Sequence, residues 1–76
     1  MKKTKKLRKL IKAAKMGKPY AMYRLGIAYQ LGRYVALDMN TAFGWISEAA
    51  ECGYAPAISW IEDYSFDDDA MVQAKS

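Results

Sequence analysis

Lys2, Lys3, Lys5, Lys6, Arg8, Lys9 and Lys12 place seven cations in the first twelve residues. The chemistry open to such a run is the neutralisation of phosphate. Each phosphate contact releases a counterion, which gives salt-dependent binding to nucleic acid without reading its sequence. A solvated outer helix face has the same appearance, and that reading is preferred because no base-reading motif accompanies the lysines. No aromatic residue precedes Tyr20, so the run lacks the interleaved rings on which single-stranded bases stack. Lys5, Lys6, Arg8, Lys9 and Lys12 form the basic patch to be located.

Other reactive groups are sparse. Cys52 is the only cysteine and histidine is absent. No intramolecular disulfide can form, and a structural zinc site needs four ligands. A lone cysteine in a helical chain is expected to be a small buried hydrophobe. Asp67, Asp68 and Asp69 lack the alternating ligands, turn glycine and distal glutamate of a calcium loop. Ser47, Ser59 and Ser65 stand in no nucleophile motif, and there is no glycine-rich phosphate loop. The expectation is therefore no enzyme, with no catalytic, cofactor or metal residues. Tyr, Trp and Arg dominate binding hot spots, which singles out Tyr20, Arg24 and Trp60 for partner recognition.

Something must position these side chains, and the composition favours helices. Hydrophobic residues make up 53 % of the 76, too many for a disordered chain, and Gly and Pro together number only seven. A chain this short holds one domain, spanning 1–76, and buries only about 60 % of its unfolded surface. Leu7, Leu10, Ile11 and Ala14 are spaced i, i+3, i+4, i+7, one apolar stripe of a helix over 4–16 that stops at Gly17. Pro19 opens a second helix to about Leu31, apolar on more than one face, and Gly32 ends it. Asp38 caps a third over 39–51, with Met39, Ala42, Trp45 or Ile46, and Ala49 inward. Gly53 closes that helix and a fourth covers about 55–64. Asp67 to Asp69 begin a last short one through Ala74.

The order hides a repeat. Ala13-Ala14-Lys15-Met16-Gly17 returns as Ala49-Ala50-Glu51-Cys52-Gly53, at an offset of 36 residues. The same offset pairs Leu10 with Ile46, Ala21 with Ala57, Met22 with Ile58 and Leu25 with Ile61. Gly26 lies inside a helix, where glycine is disfavoured by up to about 1 kcal/mol, so close approach of a partner helix is expected.

Ala21-x-x-x-Leu25-Gly26-x-x-Tyr29-x-x-Gly32, followed by Val35-x-x-Asp38-x-x-x-Ala42-x-x-Trp45-x-x-x-Ala49-Ala50-x-x-Gly53, resembles the Sel1-like repeat. That family is related to the tetratricopeptide repeats. The resemblance implies an all-α solenoid fragment of four to five helices in antiparallel pairs. It divides the chain into a half-repeat cap over 5–17, a full repeat over 18–53 and a degenerate terminal repeat over 54–74. Tyr34 replaces a frequent loop glycine, Lys9 replaces an aromatic expected opposite Trp45, and Glu62 and Ser65 replace glycine and tyrosine. The implied role is scaffolding, with partners held on a concave surface by Tyr20, Tyr23, Arg24, Ile27 and Trp60.

Charge indicates what such a partner carries. Residues 1–36 hold eleven cations and no acid, whereas residues 37–76 carry a net −7. A protein with an acidic or mixed surface is the expected partner, and weak head-to-tail self-association is expected as well. Nucleic acid held by the lysine-rich helix is the second reading. Lys9, Lys12 and Lys15 interrupt the apolar run of a signal peptide, and no stretch nears the roughly 20 apolar residues that span a bilayer. No membrane partner is expected, and the expected location is the cytoplasm.

Overall fold

A computed structural model describes residues 5–63. Among these residues the regular structure is all helical: α1 (Lys5–Lys15), α2 (Pro19–Leu31), α3 (Met39–Glu51) and α4, over residues 55–63. The capping expected at Asp67 to Asp69, the helix through Ala74, and Lys2 and Lys3 lie outside the described residues.

Glycine sets the ends. Gly17, Gly32 and Gly53 take φ of +91°, +68° and +88°, the left-handed region open to a residue without Cβ. After each, the chain turns back to satisfy a carbonyl of the last turn. Lys18 N–H donates to Ala13 O at 3.1 Å, Arg33 N–H to Ala28 O at 2.8 Å and Tyr54 N–H to Ala49 O at 3.1 Å. The first and third of these bonds differ by 36 residues. Ala21 to Lys18 and Ala57 to Tyr54, at 3.1 and 3.0 Å, form a second such pair.

Pro19 starts α2, where its missing N–H leaves one donor fewer to satisfy, and the N-cap Lys18 makes no side-chain cap. Asp38 starts α3: its carboxylate accepts from Thr41 N–H at 3.2 Å and from Thr41 Oγ1 at 2.8 Å. The Thr41 hydroxyl, then the Thr41 backbone N–H, hold the Asp38 carboxyl below its ordinary value. A lowered folded-state pKa stabilises the fold above the ordinary value of 3.8 and loses that contribution as pH falls through the folded value. Asp38→Ala is therefore expected to lower the melting temperature at neutral pH, with the gap to wild type closing in acid. Thermal unfolding followed by circular dichroism from neutral pH down past the carboxylate range checks this, and a gap independent of pH would contradict it.

The core lies where α2 is enclosed. Leu7 and Ala14 of α1, Ala21, Met22, Leu25 and Ala28 of α2, Ala42, Ile46 and Ala49 of α3 and Ala57 of α4 are buried. Lys6 and Leu10, early in α1, lie beside Ile27 and Leu31, late in α2, so these helices run antiparallel. Gln30, late in α2, and Phe43, early in α3, both meet Trp60, so α2 and α3 are antiparallel too. Contacts of Tyr54 with Tyr23 and of Trp60 with Gln30 set α4 alongside α2 in the same direction. Gly26 is the point of closest approach. A Cβ there would fall 2.5 Å from Ile46 Cγ1 and 2.9 Å from Ala42 O.

One inward alternative is resolved and two inward expectations change. Of the pair Trp45 or Ile46, Ile46 takes the fully buried place and Trp45 is half-buried. Met39, the first residue of α3, is 38 % exposed. Cys52 is exposed rather than buried, since it follows the last turn of α3 where the backbone bends outward into Gly53.

Candidate functional site

Packing of α2 against α3 consumes one face of α2, and a second face turns toward α1. Tyr23, Ile27 and Leu31 recur at i, i+4, i+8 along that second face. Lys6 and Leu10, also i and i+4, stand opposite on α1. Between the two helices lies an open groove of about 480 Å³. Its trough is apolar, formed by Leu10, Ile27 and Leu31, and Leu31 is 56 % exposed. The cations Lys6, Arg24 and Arg33, all exposed, join the lining, and among the described residues no carboxylate does.

Tyr34 lines the α2 end of the groove in an unusual conformation, with φ at +70°. A side chain in this region is disfavoured by roughly 1 kcal/mol relative to glycine. The position is the one where the resemblance leads one to expect a glycine.

Three of the five partner-facing expectations, Tyr23, Arg24 and Ile27, come together here. The other two do not. Tyr20 is 48 % exposed at the start of α2, outside the groove lining. Trp60 is half-buried: its indole N–H donates to Gln30 Oε1 at 3.2 Å, and its ring centroid lies 6.1 Å from that of Phe43. Trp60 therefore holds α4 to α2 and α3. The structure thus keeps the Tyr20, Arg24 and Trp60 set apart. Sequence reasoning missed Leu10, Leu31, Arg33 and Tyr34. The i, i+4, i+8 row was a usable signal, but only the angle at which α1 crosses α2 turns it into a groove.

The basic patch divides between surfaces. Lys5, Lys6, Arg8, Lys9 and Lys12 are all exposed, yet Lys6 alone turns to the groove. Arg8, Lys12 and Lys15, at i, i+4, i+7, flank a shallower depression with Ile11 and Met16 on another side of α1. Among the described residues, no three His, Cys, Asp or Glu gather as metal ligands, and no helix is long and apolar enough to cross a membrane. Compared with models of known families, with curated proteins and with solved structures, the chain matches none.

Proposed function

We propose that this chain is a non-catalytic protein-interaction module of the Sel1-like type, acting in the cytoplasm through the groove between α1 and α2. The carrying observation is the groove: an apolar trough lined also by Lys6, Arg24 and Arg33 and, among the described residues, by no acid. An apolar segment bearing carboxylates suits it, with aliphatic side chains against Leu10 and Ile27. Aromatic and arginine side chains in a desolvated pocket supply most of the affinity in such contacts. The solenoid reading is supported by turn hydrogen bonds that recur at the 36-residue offset.

Ile27→Asp puts a charge in the trough, and Arg24→Glu reverses one of the cations beside it. Proteins retained by the wild-type chain from its own lysate, identified by mass spectrometry, are expected to be lost with both variants. Circular dichroism confirms that the variants stay helical. Retention unchanged in both variants would overturn the proposal.

A second reading rests on the strip of Arg8, Lys12 and Lys15 along α1. Phosphate neutralisation there gives log affinity falling linearly with log salt, with a slope of about −0.9 per phosphate contacted on duplex DNA. Replacing Arg8, Lys12 and Lys15 by Glu is expected to weaken binding to duplex and single strands alike. Absence of binding at low salt ends this reading.

A further inference from the structure

We propose that α4 of one copy occupies the α1/α2 groove of a second copy, so that copies stack head to tail. This deepens the groove-binding reading and rests on it. The 36-residue offset carries α1 onto α3 and α2 onto α4. It also carries Lys6, Leu10 and Arg24 of the groove onto Ala42, Ile46 and Trp60. Those three residues are the ones that hold α2 in place. Ile46 and the Ala42 carbonyl close on Gly26, and Trp60 donates to Gln30. The groove is thus the counterpart of a surface that already seats a helix within this chain.

Its occupant is a helix that plays the part of α2. Among the described residues, α4 is the other helix of that kind, related to α2 by the same offset. In its own chain α4 is tied to α2 and α3 through Trp60, which leaves a second copy as the source. Two features of α4 suit the role. Ile58 is 36 % exposed, whereas its counterpart Met22 is 7 % exposed in the core. Gly26 corresponds to Glu62, which sets a carboxylate opposite the counterpart of Ala42, namely Lys6. Glu62 thereby meets Lys6, in keeping with +11 over residues 1–36 and −7 over 37–76. A glutamate forbids the close helix approach that Gly26 permits, so the contact is weak and salt-sensitive.

Sedimentation equilibrium of the full chain over a range of concentrations tests this. At low salt the mean mass rises above that of a monomer, and added salt returns it. Lys6→Glu and Glu62→Lys each change an attraction into a repulsion and weaken association by about tenfold. Both positions are exposed, and circular dichroism verifies folding. An equimolar mixture of the two variants associates again, since each groove then faces an opposite charge on the other partner. A strict monomer at low salt and high concentration, or a mixture that stays monomeric, overturns the stacking. A monomeric wild type whose partner capture is still lost on Ile27→Asp overturns it too, and assigns the groove to a different protein. Stacking that persists while Ile27→Asp leaves capture unchanged overturns the partner reading alone.

Discussion

Gly26→Ala is expected to lower the melting temperature, although alanine is the stronger helix former. In the interior of α2 the exchange gains up to about 1 kcal/mol of helix propensity. Against this, the new Cβ falls 2.5 Å from Ile46 Cγ1 and 2.9 Å from Ala42 O. The isoleucine can shift its rotamer. The Ala42 carbonyl is backbone within α3, so relief there requires the two helices to separate. Overpacking of this sort costs about 1–3 kcal/mol, which outweighs the propensity gain. For a chain of this size, each 1 kcal/mol shifts the midpoint by roughly 4–8 °C. Gly44 in α3 serves as the control, because a Cβ there meets nothing within 4 Å. Gly44→Ala therefore raises the midpoint while Gly26→Ala lowers it. Ile46→Val in the Gly26→Ala background removes only Cδ1, 3.1 Å from the new Cβ, and keeps Cγ1, so it recovers little. Equal gains from both glycine exchanges would mean that α2 and α3 do not pack as described.

Ile46→Ala is expected to leave the chain largely unfolded at body temperature. Ile46 is fully buried, and among the described residues Leu7 and Leu25 are the other large side chains that are fully buried. Its neighbours on α3's inward face, Ala42 and Ala49, are too short to fill the space it would leave. Truncating a core isoleucine to alanine costs about 2–5 kcal/mol. A single core in a domain this small supplies only about 3–5 kcal/mol, so the loss approaches the whole margin. Ile46→Val, at about 0.5–1.5 kcal/mol, should keep the fold. Urea titrations followed by circular dichroism measure both. A midpoint for Ile46→Ala close to that of Ile46→Val would show that the site collapses onto the gap.

The helix boundaries were legible because they depend on local chemistry. Pro19, Asp38 and the glycines at 17, 32 and 53 act within a turn of where they stand, and the structure uses each as an end. Gly26 was legible too, since a glycine inside α2 needs a reason and the α3 backbone supplies it. What depends on neighbours from elsewhere in the chain was not. Trp45 and Ile46 are adjacent, and only the rotation of α3 about its axis decides which is buried. Trp60 carried the residue type of a hot spot, but its indole is committed to Gln30. The groove needed Leu10 and Leu31 to be brought together across two helices, which no spacing within one helix specifies.

Each described helix packs mainly on those beside it in the chain: α1 on α2, α2 on α3, and α4 back across that last pair. Short loops close the α1–α2 and α2–α3 contacts, so little chain entropy is lost before the first packing is gained. Topologies of this local kind fold in microseconds to milliseconds rather than seconds. They also tend to open piecewise, from whichever end has the fewest contacts. Amide exchange should accordingly be fastest in α1 and slowest around Leu25 and Ile46, where α2 is enclosed.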